Sequence, residues 1–166
     1  MASVRAVETW PKYSGDHKMI VAVIDTGVDY THQDLVGNIW HNDKEIAGNK
    51  IDDDANGYID DIAGWDFVQN DNKPYDVTKS GWFLGGGNPG HGTHCAGSIG
   101  ATGKNNVGIS GVSPQVSIMA LRFISEKGQG TTANAIKAIN YAVNNGAKVL
   151  SNSWGSMGEN PNDPNQ

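Results

Sequence analysis

Two short segments carry side chains that could act on one another. The first is Val21-Ala-Val-Ile-Asp25-Thr-Gly27, where an aspartate closes the continuous apolar, β-rich run from Met19 to Ile24. Such a run fits a strand buried on both faces, and open α/β sheets place their sites at the carboxyl ends of such strands. The second is Gly90-His91-Gly-Thr-His94-Cys-Ala-Gly97, whose Ala and Gly content predicts a helix from about His91 to Ala101 that packs close to a sheet. A histidine in the first turn of a helix feels the positive end of the dipole, which favours the neutral imidazole a general base requires. An aspartate holding one ring nitrogen would fix the tautomer and stabilise the imidazolium formed when the other nitrogen takes a proton. Asp25 and His91 would together make a base in need of a nucleophile.

A third segment suits a hard cation. Asp52-Asp-Asp54-Ala-Asn56-Gly57-Tyr58-Ile-Asp60-Asp61 sets oxygen ligands at positions 1, 3, 5, 7 and 9 with Gly at 6, the pattern of an EF-hand calcium loop. Position 12 is Ala63 instead of Glu, so a bidentate ligand would have to come from Asp60, Asp61 or elsewhere.

Regular elements must hold these groups in place. Val116–Ile124 and Val149–Ser153 are expected as two further strands. Between them, Thr131 or Thr132 can cap a helix whose Ile136, Ile139 and Val143 fall at i, i+3 and i+7, and which stops at Asn145-Gly146. A strand, helix, strand unit of this kind sets its strands parallel. From 41 to 89 the texture turns to Asp, Asn and Gly with scattered aromatics, too polar for a core layer, and is expected as an elaborated surface insertion holding the calcium loop. Trp10, Trp40, Trp65 and Trp82 are expected to pack. The tail 156–166, with Pro161 and Pro164, is expected as loop.

The length of 166 residues allows one domain, and 37% hydrophobic residues with 22 glycines suit a core with many tight turns and close backbone approaches. A net charge of −6 leaves no electrostatic footprint for nucleic acid or an anionic membrane. The longest apolar run falls far short of the ~20 residues of a membrane-spanning helix. The start at Met1 lacks the apolar stretch of a signal peptide. The single cysteine rules out an internal disulfide.

At the two catalytic-looking segments the sequence resembles the subtilisin-like serine proteases. Asp25-Thr-Gly27 is followed by His32-Gln-Asp34-Leu, similar to the family's His-Pro-Asp-Leu. Gly90-His91-Gly-Thr-His94 matches the catalytic histidine segment, Gly108-Ile-Ser-Gly111-Val-Ser-Pro114 a family loop, and Ser153-Trp154-Gly155 the Ser-Leu-Gly edge. The motifs occur in family order from about Val4 to Gly155. The resemblance implies an α/β, three-layer fold with a mainly parallel sheet, of which residues 1–166 would be the amino-terminal portion, truncated before its carboxyl-terminal part. It implies peptide-bond hydrolysis by an Asp-His-Ser triad with Asp25 and His91 as the first two members. No Gly-Thr-Ser-Met-Ala segment occurs in this sequence, so the chain alone is expected to be inactive. It further implies extended polypeptide substrates held between Gly128-Gln129-Gly130 and Ser153-Trp154-Gly155 by strand addition, with Trp154 narrowing or flattening an apolar specificity pocket. A propeptide or the remaining catalytic-domain segment is the implied partner, and the implied location of the parent is secreted or extracellular. A second calcium site is implied at Asp34 and the loop Gly103-Lys-Asn105-Asn-Val107-Gly-Ile109, so Ca²⁺ is the implied cofactor.

Other readings of the same residues stay open. Asp-Thr-Gly is also the aspartic-protease signature, although those enzymes pair two such carboxylates and one copy is present here. The chain could instead be a non-catalytic peptide- or calcium-binding fragment, an inactive homologue, or one piece of a nicked enzyme. His91, His94 and Cys95 could share a zinc ion, since i and i+3 lie on one helix face, but a fourth ligand at suitable spacing is missing. Gly85-Gly-Gly87-Asn-Pro-Gly90 spells a dinucleotide string without the strand that should precede it.

Overall fold

The computed structural model describes residues 5–75 and 90–155. Trp82, most of the glycine string at 85–90 and the tail 156–166 lie outside the described residues. Four strands form one parallel sheet: β1 (Gly15–Asp25), β2 (Gly64–Asp66), β3 (Gln115–Arg122) and β4 (Val149–Ser151), in the spatial order β2-β3-β1-β4. Among the described residues, three α-helices accompany it, the short α1 (Ala6–Thr9), α2 (His91–Gly100) and α3 (Thr132–Asn144), with a single 3-10 turn at Val36–Asn38.

Period-two alternation divides the sheet into two faces. Val21 and Val23 of β1 and Ile118 and Ala120 of β3 meet Ala96 of α2, with Val28 and Leu35 filling the same cluster. Ala22, Ile24, Met119 and Leu121 face the other way, onto Ala135, Ala138, Tyr141 and Ala142 of α3. A sheet between helices on both faces is the expected three-layer α/β arrangement. The expected strands at Met19, Val116 and Val149 form, and β1 also extends back to Gly15. The strands flanking α3 are parallel as expected but are not neighbours, because β1 lies between them.

Two segments pack differently from their sequence pattern. The helix at 132–144 forms and is capped as expected, with Asn134 N–H donating to Thr131 Oγ1 at 3.1 Å. Its buried stripe is alanine plus Tyr141, whereas Ile136 and Val143 are 53% and 57% exposed. Alanine brings the helix close to the sheet and leaves Ile136 and Val143 outside, while Ile139 packs partly against the core. The polar stretch after Trp40 contributes to the sheet as well, since Gly64, Trp65 and Asp66 form β2 and are all buried. Gly64 has φ +128°, and a Cβ there would collide with the Ala120 carbonyl, so glycine lets this edge strand lie flush on β3.

The register aligns three charged residues at the carboxyl ends of neighbouring strands. Asp25 pairs with Arg122, and Arg122 with Asp66. Arg122 is 1% exposed, and its guanidinium donates to Asp66 Oδ2 and to Glu126 Oε2 at 2.5 and 3.2 Å. These carboxylates compensate a charge that could not be buried alone. No described helix is long and apolar enough to cross a membrane.

Candidate active site and cation loop

Asp25 ends β1 with its side chain on the α2 face, fully buried. His91 is the first residue of α2 and is half exposed. Its Nδ1 lies 2.8 Å from Asp25 Oδ1, which also accepts the Thr26 N–H at 2.7 Å. With Nδ1 donating to the carboxylate, Nε2 is the basic nitrogen of the ring. The helix can approach this far because residue 92 is glycine, where a Cβ would overlap the Gly27 carbonyl. The Gly92 N–H donates to Thr26 Oγ1 at 3.0 Å, which pins the helix start to the strand end. Asp25 Oδ2 is buried with no hydrogen-bond partner among the described residues.

The expected substrate edges converge on this pair. Asp25 O accepts from the Phe123 and Ile124 N–H groups at 3.0 and 3.2 Å, so the loop leading to Gly128-Gln129-Gly130 hangs from the end of β1. Ser125 N–H donates to Gln129 O, and Gly130 bridges back to Ile124. A hollow of about 440 Å³ is lined by Thr26, Gly90, His91, His94, Ile124, Gly128, Trp154 and Gly155. Ser153 lies just before Trp154 and is exposed; the described residues lining the hollow include no serine. Trp154 turns its indole inward, donating to Ile24 O at 2.8 Å and meeting Phe123 edge-on at 4.8 Å. Its remaining face is an apolar wall of the hollow.

Among the described residues, His94 joins no metal-like cluster. The group that comes together is Asp25, His91 and Cys95, whose ligand atoms lie within 4.8 Å of one another.

The acidic loop gathers a different set from the one its spacing suggests. Glu45, Asp52 and Asp54 bring carboxylate oxygens within 4.8 Å of one another. Glu45 is buried and takes the Asp53, Asp54 and Asp60 N–H groups. The Asn56 N–H donates to Asp52 Oδ1 and Asp54 Oδ1. The nearest cation is the exposed Lys44, 3.9 Å from Asp54 Oδ2. Three clustered carboxylates, one of them paired with the exposed Lys44, form an all-oxygen donor set of net negative charge, which fits a hard divalent cation.

Asp60 and Asp61 point elsewhere. Asp60 accepts from the Gly48 and Lys50 N–H groups. Asp61 is fully buried and accepts from Asn42, Asn56 and the Tyr141 hydroxyl. Burial pushes its carboxyl above the ordinary range, while the hydrogen bonds from Tyr141, Asn42 and Asn56 pull it back down. Burial likewise raises the Tyr141 hydroxyl far above its usual value, with the Asp61 charge adding to the rise. Tyr58 contributes a ring to the core side of the loop. Glu45 has no signal in the loop spacing, because it lies outside the run and reaches the cluster only when the chain folds back.

At the second expected cation site, Asp34 is buried and closes the 103–109 loop by hydrogen bonds. It accepts from Asn105 Nδ2 and from the Ile109 N–H at 2.7 and 3.0 Å, and the Val107 N–H donates to Asn105 Oδ1. Gly103 lies on the far side of the same loop, near Ser110 and Pro114.

The family model for the subtilase family matches residues 16–166. Subtilisin-like protease 1 of Plasmodium berghei (strain Anka) is 37% identical over 135 residues, covering 81% of this chain and 21% of that protein. Thermitase of Thermoactinomyces vulgaris is 36% identical over 152 residues, covering 92% of this chain and 42% of that protein. Among solved structures, fervidolysin from Fervidobacterium pennivorans superposes with a TM-score of 0.60 at 30% identity, covering 89% of this chain and 18% of that one. The chain thus spans less than half the length of these relatives, and the paired aspartate and histidine lie inside the matched stretch. On the match of its residues 16–166, the chain belongs to the subtilase family.

Proposed function

We propose that this chain supplies the aspartate and histidine of a serine endopeptidase acting on extended polypeptides. The observation that carries this reading is the 2.8 Å contact between His91 Nδ1 and Asp25 Oδ1 at the mouth of the hollow between the 128–130 and 153–155 edges. In that role Asp25 orients the imidazole, and Nε2 takes a proton from a serine hydroxyl and returns it to the leaving amine. The serine would come from a segment following Gln166, in the chain order Asp, His, Ser that the family resemblance implies. The two glycine-bearing edges would pair with substrate backbone, and Trp154 would set the shape of an apolar side-chain pocket.

Fluorophosphonate labelling of the 166-residue chain and of the full product of its gene tests this. Label is expected on the full product and not on this chain. Label on this chain would place a reactive serine within it, and a full product that takes no label and cleaves no peptide would favour a non-catalytic peptide-binding module.

The same chain is proposed to bind calcium at Glu45, Asp52 and Asp54, supported by their all-oxygen donor set. The 103–109 loop around Asp34 is the weaker candidate, since Asp34 is a single carboxylate there against three gathered in the other cluster. Calorimetry should show calcium uptake by this chain that Asp54→Ala abolishes. Uptake unchanged by that substitution would move the ion to another place.

A further inference from the structure

We propose that Tyr141 is a positioning residue for the Glu45, Asp52 and Asp54 cation site, acting through Asp61 to couple cation uptake to the seating of α3. The proposal rests on reading that cluster as a cation site.

Asp61 forms a layer beneath the cluster and not a part of it. Its Oδ1 accepts from Asn42 Nδ2 at 2.8 Å, and its Oδ2 accepts from Asn56 Nδ2 at 3.0 Å and from Tyr141 Oη at 2.5 Å. Each asparagine leads on to the cluster. Asn42 Nδ2 also lies 3.2 Å from Asp54 Oδ2. The Asn56 backbone N–H bonds Asp52 and Asp54, and Asn56 Oδ1 takes the Tyr58 N–H at 2.8 Å. The buried charge of Asp61 thus orients two amides that set where Asp52 and Asp54 stand. Asp61 itself is held by a helix 80 residues away in sequence.

Tyr141 grips the loop a second time through its ring. Tyr58, inside the loop, meets the Tyr141 ring edge-on at 4.9 Å and also packs on Trp65 and Phe67 at 5.0 and 5.9 Å. Asn134, two turns earlier on α3, donates to Phe67 O at 2.8 Å. The helix therefore reaches the loop and the chain just after β2 by four contacts, the fourth being the Tyr141 ring against Phe67 at 6.1 Å. Its cap, Thr131, directly follows the Gly128–Gly130 edge, so the element that braces the cation loop also anchors one wall of the hollow.

A group that only packs the core and a group that positions cation ligands differ in what their loss changes. Tyr141→Phe keeps the ring contacts and removes one donor from Asp61, so the fold should persist while the anchor shared by the two asparagines loses its bond to α3. Titration calorimetry of CaCl₂ into the 166-residue chain should show binding roughly tenfold or more weaker in this variant, the range for loss of an outer-shell partner. The rise in Tm between EDTA and calcium should shrink accordingly. Asp61→Asn, which keeps the shape and removes the charge, should weaken calcium binding at least as much and stands in if Tyr141→Phe does not fold. A lower calcium-free Tm with calcium affinity within twofold of wild type in either folded variant would overturn the proposal and leave Tyr141 a packing residue. If the wild-type chain takes up no calcium and melts identically in calcium and EDTA, the cation site itself is wrong, a failure visible before any variant is made.

Discussion

The strand-end pair and the acidic loop are both built from carboxylates, yet they are held by opposite means. Asp25 and His91 sit at the ends of a strand and a helix, joined by one hydrogen bond and fixed by a close backbone contact at Gly92. The Glu45, Asp52 and Asp54 cluster sits on irregular chain, where backbone N–H groups and asparagines are satisfied within the loop. The first site inherits its precision from the sheet, so one contact suffices. The second has no regular element of its own and borrows rigidity from α3 through Tyr141. Substitutions should therefore act locally in the first region and spread in the second.

The largest expected effect tests the first half of that contrast. Asp25→Asn retains the shape of the side chain but removes the charge that stabilises the imidazolium. In the full gene product it should lower kcat by about 10⁴, with the thermal melt changed little. A drop of less than tenfold would break the claim that this single strand-end contact holds the base. A collapse of the fold would show that Asp25 is structural as well, making the two regions more alike than the geometry suggests.

The same contrast explains what could be read from the residues. Asp25 and His91 were legible because each follows a local rule, an aspartate closing an apolar run and a histidine opening a glycine-rich helix. The 52–61 loop shows alternating oxygen ligands in its spacing, but that spacing does not tell which carboxylates come together. Glu45 replaces Asp60 and Asp61 in the cluster because the loop doubles back, and no spacing rule encodes that return. Tyr141 was hidden for a related reason. The stripe of Ile136, Ile139 and Val143 has helical period and high hydrophobicity, yet only Ile139 packs partly against the core, and the sheet takes the alanine stripe, where close approach outweighs side-chain size. The β2 strand escaped notice because three residues between acidic loops are too short for alternation to register, although Trp65 is buried and pairs in register with Leu121. The buried Arg122 with Asp66 and Glu126 likewise needs the strand order β2-β3-β1 before its partners can be named.

A smaller effect separates the helix as a body from the single side chain it lends to the loop. Thr131 caps α3 through Asn134 N–H, ten residues before Tyr141 and beside the 128–130 edge. Thr131→Ala should cost about 1 kcal/mol of stability, read by urea unfolding with calcium removed. Because the cap lies at the opposite end of the helix from the Tyr141–Asp61 bond, calcium affinity should stay within twofold of wild type. An affinity loss as large as that of Tyr141→Phe would mean that the loop senses the stability of α3 as a whole. The contrast would then be between a site set by one contact and a site set by an entire element, with the Tyr141 hydroxyl no more than one of many contacts carrying the load.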